Sequence, residues 1–235
     1  MTQVFRKIQE EHRNLWLMLA SALFQSKSQV SNQVPYTSQF ANPDWSEKIL
    51  KDGQLKTSDP NWQESGAVTV EEYEKWVTTI CGMACTVMAA AFFCKDEHKT
   101  IELAKDALEY GVYQKHSKEL SSMRYKEYVD WVTNYGLYAT LYSRLTTEGI
   151  EHILSEGGLV IASVNPNIRG YITAPEKQIG GHLVLVTGYD SEDKTITLQN
   201  PSGFVSRNTH HNHTLNIKEF KNHFANRGIA LYKSN

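Results

Sequence analysis

The sequence predicts an α+β fold in which a helical half precedes an antiparallel sheet. Segments with helical periodicity or high alanine content fill residues 69–157, whereas runs rich in branched residues follow from residue 159. In a doubly wound fold, strands and helices would alternate instead. The 235 residues are enough for one sizeable core.

The predicted helices carry recognisable start and stop signals. Residues 3–25 indicate a first helix, and Thr69 with Glu72 has capping-box spacing ahead of a second. Asn216 with Glu219 caps a last helix in the same way. The helices between them are predicted in "CGMACTVMAAAFF", "KTIELAKDALEYG", "YKEYVDWVTNYG" and "GIEHILSEGG". The aromatic residues of "YKEYVDWVTNYGLYATLY" recur at helical spacing and are expected in the core.

Four strands are predicted from runs of branched residues bounded by turn residues. They are "LVIASV" (159–164), "HLVLVTGY" (182–189), "TITLQN" (195–200) and "IALYK" (229–233). Pro35 makes "VPYTSQF" extended. Residues 41–68 lack periodicity, which predicts a long ordered excursion over the surface.

Two regions are predicted along the chain. Residues 1–33 form an N-terminal helix and a polar connector, "QSKSQVSNQ", and residues 34–235 form the main domain. The apolar stretch "NLWLMLASALF" is too short to span a bilayer, so no membrane span is expected. An amphipathic or buried helix is the preferred interpretation, and a cleaved signal peptide is the alternative.

Composition excludes several classes of function. A net charge of −2 without a long basic run gives no reason to expect a nucleic acid or an anionic membrane as partner. Three cysteines clustered in residues 81–94 do not form a disulfide framework, so at least one thiol is free. In "THHNH" (209–213), His211 and His213 would share a strand face, but further metal ligands are lacking. A polar loop is therefore preferred there, with no metal and no cofactor.

Cys81 is the candidate nucleophile. It lies where a helix should begin, and the positive end of the helix dipole favours a thiolate there. Gly82 is expected to leave open backbone beside the sulfur. Cys85 lies one turn deeper and is expected to be packed, while Cys94 marks the helix end. The alternative is that Cys81 is itself only a small buried residue.

His182 and Asn200 are candidates for the base and its orienting residue. His182 follows two glycines and opens a strand, which predicts an accessible imidazole. A hairpin folded about Ser191 would make His182 and Asn200 cross-strand neighbours. Asn200 could then accept from one imidazole nitrogen and fix the ring for a Cys-His-Asn triad.

These residues resemble the papain-like cysteine peptidases, and within them the bacterial family related to the bacteriocin-processing domain that removes double-glycine leaders. The likeness covers residues 34–233. "ICGMAC" is similar to the nucleophile helix, "GGHLVLVTGYD" to the histidine strand and "TLQNPSG" to the segment of the orienting residue. "VPYTSQF" resembles the opening segment, which implies that Gln39 donates to the oxyanion hole. Two departures are Ile80, where the family usually has an acidic residue or glycine, and Asn200, where it often has aspartate.

The resemblance implies a papain-like fold and a thiol hydrolase that cleaves a peptide bond in a peptide or protein substrate. It also implies a bacterial protein, expected in the cytoplasm or secreted without a clear signal peptide. A glutamine deamidase or acyl transferase would use the same triad. A catalytically inactive binding module is the third alternative, suggested by Ile80 and the long insertion before Cys81. The sequence assigns no oligomeric state.

Overall fold

An antiparallel sheet of seven strands organises the part of the chain that the computed structural model describes. That part comprises residues 3–23, 26–116, 119–172 and 174–234, with only the backbone described at residues 3–7, 116 and 119. The strand order is β4-β9-β5-β6-β7-β8, and β1 pairs with the far end of β6. The strands β2 and β3 pair with each other in a separate antiparallel sheet. The strands are β1 (Gln29–Ser31), β2 (Lys115–His116), β3 (Glu119–Leu120), β4 (Leu137–Tyr142), β5 (Leu159–Val164), β6 (His182–Asp190), β7 (Thr195–Gln199), β8 (His213–Asn216) and β9 (Phe224–Lys233).

The α-helices are α1 (Gln3–Leu23), α2 (Trp45–Leu50), α3 (Val70–Trp76), α4 (Cys81–Phe93), α5 (Thr100–Tyr110), α6 (Tyr125–Trp131), α7 (Thr147–Ser155) and α8 (Ile217–His223). Short 3-10 turns cover Lys56–Ser58, Trp62–Ser65, Val132–Tyr135, Pro166–Arg169 and Val205–Arg207. Six of the predicted helices thus have a counterpart within a few residues of the predicted bounds, and the seventh, at 125–136, is α6 followed by a 3-10 turn.

The N-terminus of α3 is stabilised by the capping residues that the sequence predicts. Thr69 Oγ1 accepts from the Glu72 N–H at 3.2 Å, and Glu72 Oε2 accepts from the Val68 N–H at 2.7 Å. The residues of the predicted capping box therefore satisfy one N–H of the first helical turn and the N–H of the residue before the N-cap.

Five of the nine described strands were not predicted, β1, β2, β3, β4 and β8, and two of them, β4 and β8, lie in segments for which the sequence indicated another structure. Gly136 has φ of 67°, which ends the 3-10 turn after α6 and redirects the chain, so that "LYATLY" becomes β4 and pairs with β9. The helical spacing of its aromatic residues did not indicate this strand, but the expected core position is confirmed for Tyr128, Trp131 and Tyr142 and is wrong for Tyr138, which is exposed. The other strand is β8, whose first residue, His213, was expected in a polar loop.

Helix α4 forms the centre of the core. It packs against β6 and β5, and every residue from Gly82 to Ala90 is buried. Its first residue, Cys81, is only half-buried. The uniformly apolar sequence after Cys81 therefore holds the start of the helix rigidly at the edge of the core.

The N-terminal region contacts the main domain at two places. Leu17 and Ala20 of α1 are buried, α1 packs on α7, and Asn14 Nδ2 donates to Ser143 Oγ at 3.0 Å. The predicted connector contains β1, which adds to the sheet beside β6. The division of the chain at residue 33 stays a prediction. No single described helix has the length and apolar composition of a membrane span, although α3 and α4, bent by 96°, meet that test jointly.

Residues 41–68 are an ordered excursion, as the sequence predicts. They contain α2 and two 3-10 turns, and Asp59 holds them together. Its carboxylate accepts from the N–H groups of Asn42 and Asn61, at 3.1 and 3.0 Å, and from the Tyr73 hydroxyl of α3.

Candidate active site

Cys81 is the first residue of α4, at the corner where α3 and α4 meet at 96°. The residue before it, Ile80, is fully buried and serves as the N-cap, and no side chain caps the first turn. The isoleucine at this position, where an acidic residue or glycine is usual, therefore packs as part of the hydrophobic core. The uncapped N–H groups of the first turn lie next to the sulfur.

The prediction that Gly82 leaves open backbone is wrong. A Cβ there would lie 2.5 Å from Met123 Sδ and 3.1 Å from Leu183 Cδ1. Glycine is required at this position because Met123 and Leu183 pack directly against the helix backbone. Both side chains also line the cavity at Cys81.

Replacing Gly82 by alanine is expected to destabilise the protein by about 1–2 kcal/mol, because the clash outweighs the better helix propensity of alanine. Equilibrium urea denaturation measures the difference. In a Met123→Ala background the same substitution should cost nothing or stabilise. An equal cost in both backgrounds would show that Met123 is not the obstacle.

His182 opens β6 directly after Gly181, whose φ of 102° makes the turn into the strand. Its Nε2 lies 2.8 Å from Asn200 Oδ1 and 3.2 Å from Ser202 Oγ. The imidazole is only 2% exposed, so the expectation of an accessible side chain is wrong. The ring is enclosed on the Nε2 side by the segment that carries Asn200 and Ser202.

The hairpin register differs from the predicted one. Leu185 lies opposite Gln199, and the pair nearest the turn is Asp190 with Thr195, so the turn is centred between Glu192 and Asp193 instead of at Ser191. A bulge between Val186 and Gly188 shifts the ladder once more. Asn200 therefore lies just beyond the end of β7 and is not a ladder partner of His182, yet the two side chains meet by a hydrogen bond.

Asn200 is held by its surroundings. Its N–H donates to the His210 carbonyl at 2.8 Å, its carbonyl accepts from the Tyr36 hydroxyl at 3.2 Å, and its Oδ1 also accepts from the Ser202 N–H at 3.3 Å. Its Nδ2 is buried without a hydrogen-bond partner among the described residues. The carboxamide oxygen is thus fixed toward the imidazole.

Gln39 lies between the segment after Asn200 and the turn before Cys81. Its backbone N–H donates to the Pro201 carbonyl, and its side-chain Nε2 donates to the Val77 carbonyl, both at 2.7 Å. The side chain is 3% exposed, and its Oε1 has no partner among the described residues. The extended segment predicted around Pro35 thus carries a buried amide to the nucleophile turn.

A cavity of about 720 Å³ opens at Cys81 and His182. One wall is the stretch from Ser122 to Glu127, and the other includes Leu141, Gly181 and Arg227. Residues 41–68, all of them described, contribute nothing to its lining. The insertion therefore leaves the cavity open.

The surroundings favour the neutral forms of both reactive groups. Burial raises the pKa of the Cys81 thiol, opposed by the Leu183 N–H and by the charge of Arg169. Burial also lowers the pKa of His182 well below its usual range, and the charge of Arg169 adds to this effect, while the hydrogen bond that the imidazole donates to Asn200 Oδ1 opposes it.

The other two cysteines are in different surroundings. Cys85 is fully buried one turn below Cys81, with its Sγ 3.8 Å from the Leu183 carbonyl oxygen. Cys94 follows α4 as its C-cap, with its Sγ 3.4 Å from the Gly136 carbonyl oxygen. Both positions agree with the sequence predictions, and all three cysteines are free thiols.

Arg169 and Ser202 lie beside His182 but were not predicted from the sequence as residues of the site. Ser202 is two residues after Asn200, and Arg169 ends the 3-10 turn after β5. The position of Ser202 in "NPSG" gave a weak local signal, whereas nothing in "NPNIRG" marks the arginine.

The helical half and the antiparallel sheet define an α+β protein, as the sequence predicts. Residues 31–231 match the Peptidase_C39 like family. The chain therefore belongs to this family and is a cysteine peptidase-like hydrolase, which confirms the resemblance drawn from the four sequence motifs. No curated protein matches the chain.

Two solved structures are similar at low identity. One is the peptidase domain of Streptococcus ComA, a bifunctional ABC transporter of a quorum-sensing pathway: 12% identity, a TM-score of 0.44, and coverage of 67% of this chain and 93% of that one. The other is a double-glycine-motif protease from an AMS/PCAT transporter in complex with the leader peptide: 15% identity, a TM-score of 0.48, and coverage of 90% and 99%.

Proposed function

We propose that this cysteine peptidase-like protein hydrolyses a peptide bond with Cys81 as nucleophile, His182 as general base and Asn200 as the residue that orients the imidazole. The observation that carries the proposal is the 2.8 Å contact between His182 Nε2 and Asn200 Oδ1. A carboxamide oxygen only accepts, so Nε2 carries the hydrogen and Nδ1 keeps a lone pair. Cys81 and His182 line one cavity, where that lone pair can take the thiol proton.

The proposed oxyanion site consists of donors around the start of α4. The N–H groups of its first turn have no side-chain cap. Gln39 Nε2 has two hydrogens, and the Val77 carbonyl takes one of them. The second hydrogen, together with the Cys81 N–H, is available to stabilise the negative oxygen of the tetrahedral intermediate.

The protonation states favour proton transfer during the reaction. A raised thiol pKa and a lowered imidazole pKa mean that the pair rests as thiol and neutral imidazole. His182 then acts as base while the sulfur attacks the carbonyl carbon, and the imidazolium later returns the proton to the leaving amine.

A peptide is the proposed substrate because the cavity is open and large enough for several residues. Its volume falls in the range of sites for ligands of that size. The two features that favour an inactive binding module do not obstruct the site. Ile80 is buried in the core, and residues 41–68 leave the cavity uncovered.

Iodoacetamide alkylation, resolved for each cysteine by mass spectrometry, tests the proposed pair. In the native protein we expect Cys81 to react, and in His182→Ala we expect its rate at neutral pH to fall about tenfold or more, because the base is gone. Cys94 serves as the internal control, since its rate should be the same in both proteins. Equal Cys81 rates in both would contradict the proposal.

A further inference from the structure

Arg169 is a buried cation, and the hydroxyl group of Ser202 lies between it and the imidazole of His182. It is 7% exposed. Its Nε and Nη2 donate to Ser202 Oγ at 2.9 and 2.7 Å, and its Nη1 donates to the Pro166 carbonyl at 3.2 Å. Ser202 Oγ lies 3.2 Å from His182 Nε2. A guanidinium held at two points is therefore fixed behind the ring.

The charge of Arg169 acts on both reactive groups in the same direction. Burial lowers the pKa of Arg169 to about 10, so the guanidinium stays charged at neutral pH. A nearby cation disfavours the imidazolium and favours the thiolate, and it has this effect on His182 and on Cys81. Asn200 is neutral, so the orienting residue adds no opposing negative charge.

The other ionisable groups around the imidazole come from the elements that surround it. Cys81 faces it from α4, and Tyr36 lies behind Asn200 through its hydrogen bond to the Asn200 carbonyl. Across the cavity are Arg227 of β9 and the charged residues of α6 and its N-cap, Arg124, Lys126 and Glu127, of which Arg124 and Glu127 form an ion pair.

We propose that Arg169 is a positioning residue of this site. It fixes Ser202 against His182, and its charge favours the thiolate of Cys81 and the neutral imidazole of His182. The inference rests on the proposed function, because it assigns a role relative to that pair. Residues 166–169 and 202 would then support the site although they do not line the cavity at Cys81.

A fixed cation shifts every ionisation of the pair to lower pH. Loss of the thiol proton and loss of the imidazolium proton are coupled steps, and a positive charge favours both. Removing the charge should therefore move both limbs of the pH profile of Cys81 alkylation, one for each coupled proton loss, to higher pH. A residue with a purely structural role would lower the height of the profile and leave its limbs in place.

The test is the pH dependence of Cys81 alkylation by iodoacetamide in the full chain. Arg169→Gln removes the charge and keeps an amide donor, whereas Arg169→Lys is the matched variant that keeps the charge. We expect Arg169→Gln to move the profile to higher pH by about one pH unit, which makes Cys81 about tenfold slower on the acidic limb. Arg169→Lys should keep the native limbs. Arg169→Met gives a second neutral variant if the glutamine variant does not fold, as judged by circular dichroism.

Two outcomes would overturn the inference. One is a profile of the neutral variant that coincides with the native limbs, and the other is an equal displacement in Arg169→Lys. Failure of the proposed function is distinguishable, because Cys81 would then show no dependence on His182 in the protein with native Arg169. Ser202→Ala removes the hydroxyl and leaves the cation, so it should lower the rate with unchanged limbs.

Discussion

Replacing Cys81 by alanine is expected to abolish peptide hydrolysis, with a loss of about 10⁴- to 10⁶-fold in kcat. The reason is that no other group in the described cavity can replace the sulfur: Cys85 is buried one turn deeper, and Cys94 lies at the other end of α4. The measurement uses a proteome-derived peptide library incubated with the protein, with new termini counted by mass spectrometry.

The matched control is Cys94→Ala, which removes a thiol from the same helix and should leave cleavage unchanged. Turnover that survives in Cys81→Ala would exclude this residue as nucleophile. Release of ammonia from glutamine side chains by the native protein, with no new termini, would instead identify a deamidase that uses the same groups.

Replacing His182 by alanine is expected to lower kcat/KM by about 10³- to 10⁴-fold, because the thiol then lacks a base and the leaving amine lacks an acid. A library peptide cleaved by the native protein supplies the substrate for this assay. The loss should be largest near neutral pH and smaller at high pH, where the thiolate of Cys81 forms without help.

Asn200→Ala should lose less activity than His182→Ala and therefore serves as a comparison for it. It removes the acceptor at 2.8 Å and leaves the imidazole in place, so its loss should be smaller than that of His182→Ala. Thermal unfolding monitored by circular dichroism separates these losses from misfolding, since both residues are buried. A loss of only a few fold in His182→Ala would contradict the assignment of this residue as the base.

Local signals made the start of the nucleophile helix predictable. The capping residues of α3 and the uninterrupted apolar run from Cys81 are both read within a dozen residues of sequence. The proximity of His182 and Asn200 was predictable as well, because a hairpin brings its two ends together even when its register is misjudged. Here the bulge near Gly188 and the later turn changed the ladder, but the two side chains still meet.

Contacts between distant parts of the chain explain what could not be predicted. Gly82 is covered rather than open because Met123 packs on it, and the sequence does not show that contact. The same holds for Arg169, whose relation to His182 depends on Ser202 from another loop. The strand β4 was not predicted because Gly136 ends the helical pattern and the aromatic residues beyond it happen to keep a helical spacing.

The hydrogen bonds that join residues 34–39 to residues 199–201 have a consequence for how the site forms. Val34, Tyr36 and Gln39 each contact this later segment. Since these contacts bridge more than 160 positions of sequence, Gln39 bonds to the Pro201 carbonyl only after the segment that follows β7 has been synthesised. Such high contact order slows folding, because the entropy of closing a long loop is lost before the contacts form. During synthesis, a nascent chain would therefore carry Cys81 for about half of its elongation before the side chains of His182 and Asn200 can meet.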